Sequence, residues 1–328
     1  MSTPDHINDH WPDSHINLEA HELQSLADKL LPIFKKTLLE ENIAFNSSFD
    51  NALKNLYAPI CAWLVNQQKD QPLVLGINGS QGSGKSTLTQ ILGNLLEQGF
   101  NKNVASFSID DLYKTRKQRE QLAQTIHPLF KTRGVPGTHD AELGISIIRQ
   151  LKDENTSNIR IPIFDKSIDD RLPETGWTQV IGSPDIIIFE GWCVGSAPQN
   201  QNELASPINS LEEKEDPDVI WRGYVNQQLQ GIYKQLYSHI DILLMLKIPD
   251  FNKVFEWRKL QEEKLRKSLQ SDAAAEDKTM SDTEIEHFIM HYERITRHTL
   301  NEMPERCDIL FELGDNHHVE NVIARCPA

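Results

Sequence analysis

The run Gly79-Ser80-Gln81-Gly82-Ser83-Gly84-Lys85-Ser86 has the spacing G-x-x-x-x-G-K-[ST], and Leu73-Val74-Leu75-Gly76-Ile77-Asn78 before it reads as a buried strand. Glycines at these intervals let successive backbone N–H groups turn inward around phosphate oxygens, and a helix that begins near Lys85 offers its positive end to the same anion. The stretch is therefore expected to hold a nucleoside triphosphate. Lys85 is placed to reach the β- and γ-phosphates. Ser86 is placed to give its hydroxyl to Mg²⁺, an ion that prefers oxygen ligands, with Thr87 as the next helical residue. Leu88, Ile91, Leu92 and Leu95 then form one apolar helical face.

Outward from this strand and helix, apolar runs recur at Val104–Ile109, Ile159–Phe164, Ile186–Phe189, Ile240–Ile248 and Ile309–Phe311, separated by helical stretches or long connections. Continuous apolar strands alternating with helices predict an α/β fold with a mostly parallel sheet covered on both faces. Ligands of such sheets collect outside the carboxyl ends of the strands, so the residues just after each strand are the informative ones.

The second strand ends in Asp110-Asp111-Leu112-Tyr113. A carboxylate there lies across from the phosphate loop, where a general base accepts a proton from an attacking hydroxyl, and Asp110 is the candidate; its neighbour is free to cap the next turn. The strand Asp185–Phe189 runs into Glu190-Gly191-Trp192, the Walker B pattern of apolar residues followed by an acid, which places Glu190 with Ser86 at the metal. Between them lie two loops dense in hydrogen-bonding groups, Arg133–Asp140 and Phe164–Arg171. Arg133, Lys166 and Arg171 are suited to a carboxylate or hydroxyls of a small polar acceptor, with Tyr113, His139 and Asp165 as further acceptor-binding candidates.

The helix from about 251 to 267 gathers basic residues in an acidic protein. Phosphoryl transfer needs a cation over the migrating group and exclusion of water, so Arg258 and Arg266 are the candidate lid cations. Arg258 is expected to act with Lys85 in catalysis, and Arg266 on the nucleotide. Asn316, His317 and His318 follow the last strand, and His317 is the candidate for contact with the nucleobase.

The chain has 328 residues, 38% hydrophobic and 25% charged, with a formal charge of −15. A nucleic-acid partner is not expected, because polyanion binding draws on clustered Lys and Arg. Cys61, Cys193, Cys307 and Cys326 have neither C-x-x-C nor zinc spacing and read as reduced, mostly buried thiols of a cytoplasmic protein. No apolar stretch approaches a membrane span. Residues 1–15, with His6, His10 and His15, read as a disordered tail, with metal binding as the lesser alternative. Residues 16–70 read as helices packed on the core. Residues 71–328 form the remaining domain, with lid and substrate elements at about 112–182 and 250–300. A surface insertion is expected at about 196–220. An acidic loop is expected from Ser268 to Met280, ahead of the capping box Ser281-Asp282-Thr283-Glu284.

Together with the phosphate loop, the motifs Ser108–Tyr113, Arg133-Gly134 with Gly137–Asp140, Phe164–Ser167, Phe189–Trp192, Trp257-Arg258 and Met280–Asp282 leading to Tyr292 make the chain similar to one kinase branch. It resembles the plant-type D-glycerate 3-kinases and their bacterial and yeast P-loop kinase relatives, near phosphoribulokinase, uridine kinase and bacterial pantothenate kinase. The resemblance spans about 50–320. It implies a P-loop kinase fold with a helical lid, ATP and Mg²⁺, and phosphorylation of a small hydroxy acid, with D-glycerate foremost. It also implies a base at Asp110 and a metal-side acid at Glu190. Kinases of pantothenate-, nucleoside- or sugar-type acceptors are the alternatives, as is a non-kinase ATP-binding switch. Neither N-K-x-D nor D-x-x-G stands after a suitable strand, so ATP is expected rather than GTP.

Overall fold

Strand β1 (Leu73–Gly79) is buried at every position, which its unbroken apolar sequence requires. The structure is a computed structural model; it describes residues 10–12, 18–270 and 280–325, without the side chains of 261 and 264–270. Beside β1 stand β2 (Val104–Ser108), β7 (Ile186–Gly191), β8 (Ile242–Lys247), β9 (Ile309–Leu313) and β10 (Val319–Ala324), in the order β10-β9-β8-β1-β7-β2. All neighbours are parallel except β10 against β9. The period-two alternation of a strand divides their side chains between two cores. Leu75, Ile77, Ile186 and Ile188 face one, and Val74, Ile187 and Phe189 face the other.

The first core is closed by α1 (Ala20–Glu40), α2 (Ser47–Ala52), α3 (Ala58–Gln67) and α4 (Lys85–Asn94). The other is closed by α6 (Ala141–Lys152), α8 (Ile220–Gln228) and α11 (Asp282–Glu302). The shorter α5 (Arg116–Thr125), α7 (Ser210–Glu215) and α9 (Lys234–Tyr237) lie between, and α10 (Asn252–Gln270) follows β8. Ser281 caps α11 through the reciprocal box with Glu284.

Four sequence expectations change. The run Ile159–Phe164 is no strand of the parallel sheet. Its first part, β3 (Asn158–Ile161), pairs antiparallel with β6 (Thr178–Ile181), and its last residue opens β4 (Phe164–Asp165), which forms a second hairpin with β5 (Asp170–Arg171). The reason is in the alternation: Ile159 and Ile161 are buried while Asn158 and Arg160 are exposed, so the segment has one apolar face. The stretch near 196–220 is not a loose surface insertion. Glu212, wholly buried, pairs with Arg294 at 2.6 Å, and Asp216 with Arg222 at 2.7 Å, which fastens the segment to α8 and α11. Helix α10 runs to Gln270, into the segment expected as a loop, the rest of which (271–279) is outside the described residues.

The last change is at the tail. Trp11 is buried against Trp63 with ring centroids 5.4 Å apart, and its N–H donates to Asn55 O at 2.7 Å. His6 and His15 lie outside the described residues, among which no group of His, Cys, Asp and Glu is arranged to hold a metal. Cys61, Cys193 and Cys307 are buried free thiols, and Cys326 is outside the described residues. Among those residues no helix is long and apolar enough to cross a membrane.

Candidate active site

The site is assembled where β1, β7 and β2 end side by side. Register places Ile77 opposite Glu190 and Glu190 opposite Ser108, so the phosphate loop, the Walker B acid and the Asp110 turn leave the sheet at one level. Asn78, buried at the end of β1, donates from Nδ2 to Val194 O at 2.8 Å and ties the loop to the segment after β7. The loop then turns through Gly82 and Gly84, both at positive φ (81° and 88°), and Gly84 caps α4. A Cβ on Gly82 would stand 2.7 Å from Trp257 Cβ, so this glycine also admits α10 against the loop.

Groups awaiting a ligand are visible here. Ser80 Oγ, Ser83 Oγ and Glu190 Oε2 are buried with no hydrogen-bond partner, while Glu190 Oε1 accepts from Ser86 Oγ at 3.3 Å. Buried polar atoms without partners are costly unless a ligand satisfies them. The hydroxyls, the cradle of amides and Lys85 fit a polyphosphate, and the Ser86–Glu190 oxygen pair fits Mg²⁺.

In front of them lies a cleft of about 330 Å³, lined by Gln81, Lys85, Ser86, Asp110, Tyr113, Arg133, Lys166, Glu190 and Arg258 with an aromatic rim. Asp110 sits on the single turn Ile109–Leu112 that follows β2 and meets Lys166 Nζ at 2.7 Å. Burial alone would raise its pKa. The ammonium groups of Lys166 and Lys85 outweigh that and bring it down to about 2. Asp111 does the capping, accepting from Ser108 N–H at 3.0 Å, and burial pushes its carboxyl up to about 6. The division of labour between adjacent aspartates is thus one of position: Asp110 faces the cations, Asp111 the backbone.

Not every expected residue reaches the cleft. His139 is buried behind Tyr113, stacked on it at 4.5 Å, with Nδ1 2.7 Å from Tyr233 OH, and burial lowers its pKa to about 3. It is a neutral packing residue in this geometry. Arg171 donates to Tyr113 O at 2.7 Å and Leu112 O at 3.1 Å, so it braces the Asp110 turn from behind. Asp165 turns its own hairpin, accepting from Ser167 N–H and Oγ at 2.8 and 2.6 Å. Arg258 does line the cleft, paired with the buried Glu262 and set over the Phe288 ring at 5.7 Å. Arg266 is on α10, but its side chain is outside the described residues.

A second hollow of about 370 Å³ lies on the far side of the phosphate loop and shares Gly82 with the cleft. His317 is here, at φ 62°, stacked on Trp257 at 3.8 Å with Nε2 2.9 Å from Gly82 O. Thr87 borders the same hollow and donates to Glu41 at 3.1 Å. Much of the remaining wall is apolar and comes from the N-terminal segment: Leu38, Ile43, Phe49, Leu56 and Tyr57. Sequence reading passed over these residues because apolar side chains at helical spacing are indistinguishable from ordinary core. Trp192, Phe288 and Tyr292 on the cleft rim escaped as lining residues for the same reason.

Residues 74–196 match the phosphoribulokinase / uridine kinase family. An uncharacterized kinase of Schizosaccharomyces pombe, mug58, is 32% identical over 252 residues, 74% of this chain and 87% of that protein. The chloroplastic D-glycerate 3-kinase of Arabidopsis thaliana is 28% identical over 73% of this chain, which spans about half (53%) of that longer relative. Among solved structures, the D-glycerate 3-kinase of Cryptococcus neoformans var. grubii superposes with a TM-score of 0.64 over 92% of this chain and 99% of its own, at 23% identity, which is a likeness of fold. With its phosphate loop, its parallel sheet and these relatives in view, the chain belongs to the phosphoribulokinase / uridine kinase family of P-loop kinases.

Proposed function

We propose that this kinase transfers the γ-phosphoryl group of Mg-ATP to a hydroxyl of a small hydroxy acid, D-glycerate. The observation that carries the reading is the composition of the cleft: Asp110 stands among Lys85, Arg133, Lys166 and Arg258 in a protein of formal charge −15. Cations concentrated in one cleft of an acidic protein suit two anionic partners, a triphosphate and a carboxylate.

In this reading the loop from Gly79 to Ser86, with Thr87 beyond it, holds the triphosphate, and the apolar hollow with His317 receives the base. Ser86 and Glu190 hold Mg²⁺, which when bound supplies positive charge to the β- and γ-oxygens. The acceptor lies between Arg133, Lys166, Tyr113 and Asp110. As the acceptor oxygen bonds to phosphorus and the bridging P–O bond to ADP breaks, the hydroxyl proton passes to Asp110. A weak base suffices, because phosphoryl transfer proceeds mainly by positioning and charge stabilisation. Lys85 and Arg258 neutralise the transferring group, with Arg266 the further lid candidate. The buried thiols suit a reducing cytoplasm.

ADP release from the purified protein, measured with D-glycerate, pantothenate, uridine and a hexose in turn, tests the assignment. Strong stimulation by D-glycerate alone is expected. Stimulation by one of the others instead would overturn the acceptor, and no stimulation by any would overturn small-molecule transfer.

A further inference from the structure

The β4–β5 hairpin carries an aspartate at its turn that the mechanism has not used. Asp169 sits at the hairpin's turn with φ 54°, a left-handed conformation that Asp and Asn tolerate better than most residues. Its carboxylate lies between two guanidinium groups. Arg119, whose side chain is 1% exposed, donates from Nη2 to Asp169 Oδ2 at 2.9 Å and to Asp169 O at 2.7 Å. Arg119 is itself fixed by Lys131 O at 2.8 Å and Lys114 O at 3.2 Å. On the other side Asp169 Oδ1 accepts from Arg133 Nη1. Arg116 approaches from the exposed side at 4.0 Å.

We infer that Asp169 is a positioning residue that holds Arg133 as the receptor for the carboxylate of the acceptor. The inference rests on the hydroxy-acid reading above. Three features support it. Arg133 lines the cleft, and among the described residues its guanidinium donates only from Nη1, so Nε and Nη2 remain as donors for a ligand. The Phe164 ring, also on the cleft wall, lies 5.4 Å from the Arg133 guanidinium and restricts its plane. Asp170 Oδ1 also accepts from Arg116 N–H at 3.0 Å, so two carboxylates stand among three arginines; the cluster stays cationic, attracts an anion and offers nothing comparable to a neutral polyol. Buried Arg119 thus fixes Asp169, Asp169 fixes Arg133, and Arg133 addresses the substrate.

Steady-state kinetics with D-glycerate, at saturating ATP, on Asp169→Asn, Arg133→Gln and the double variant test the chain of contacts. Asp169→Asn is expected to raise the KM for D-glycerate about tenfold with kcat within about threefold, and to leave the KM for ATP unchanged. The double variant should be no worse than Arg133→Gln alone, because Asp169 acts through Arg133. An unchanged glycerate KM, a matching rise in the ATP KM, or multiplying effects in the double variant would each overturn the role. Should Asp169→Asn not fold, Arg133→Lys, which keeps the charge and loses the fork, must raise the glycerate KM; a wild-type value overturns the receptor. If the wild-type enzyme turns over D-glycerate while Asp169→Asn matches it, only this inference falls. If it turns over only uncharged acceptors, the hydroxy-acid reading falls as well.

Discussion

The two hollows that meet at Gly82 are of similar size, about 330 and 370 Å³, and are built from opposite chemistry. The cleft gathers Lys85, Asp110, Arg133, Lys166, Glu190 and Arg258, whereas the far hollow is walled by Leu38, Phe49, Leu56, Tyr57, Trp257 and Phe311. On the proposed reading, the contrast matches what each end of a nucleotide needs. A migrating phosphoryl group needs fixed charge aimed at it, and a flat heteroaromatic base needs apolar contact and shape. One glycine backbone serves both: Gly82 lends its carbonyl to His317 on one side and borders the cleft on the other.

This contrast can be broken most sharply from the charged side. Asp110→Asn should cut kcat by about 10²-fold or more while nucleotide affinity stays near wild type, whereas Lys85→Ala should damage affinity and rate together. Equilibrium binding of ATP beside single-turnover rates separates the two, and an Asp110→Asn enzyme with unimpaired turnover would remove that residue from its role.

From the apolar side the effect is smaller and confined to the base. Phe49→Ala should raise the KM for ATP about three- to tenfold, with inhibition by tripolyphosphate and the KM for the acceptor unchanged. Equal weakening of ATP and tripolyphosphate would mean that the helices support the phosphate loop and not the base.

The smallest effect belongs to His139, buried behind Tyr113 of the cleft wall. Its native pKa of about 3 lies below the ordinary 6.5, so between these values the unfolded chain binds a proton that the native one does not. Its contribution to stability is present at neutral pH and is lost as pH falls from about 6.5 towards 3. Asp111, raised to about 6 by burial, works in the opposite sense between about 4 and 6, so the reading is the difference between variant and wild type. Melting temperatures from pH 7 to 4.5 should fall less steeply for His139→Gln, and an identical slope would show that His139 titrates normally.

The charged cleft was largely legible in the sequence and the apolar hollow hardly at all. Asp110 stands just beyond β2 and Glu190 at the carboxyl end of β7, so strand periodicity alone predicts which end of the sheet they occupy. Arg171 and His139 carried the same kind of signal and turned inward, because the choice between facing a ligand and bracing a backbone depends on neighbours such as Tyr113 and Tyr233. Asp169 carried no signal of its own, since its meaning comes from two arginines, 36 and 50 residues earlier in the chain.

By itself the sequence determined the phosphate loop, the parallel strands around it and the acids at their ends, because glycine conformation, strand alternation and helix capping are local properties of a few neighbouring residues. Only the tertiary structure decided that the N-terminal helices wall the second hollow and that Asp169 joins a buried arginine to one in the cleft. Apolar packing is non-directional, and ion pairs across distant segments form only after the fold has brought them together.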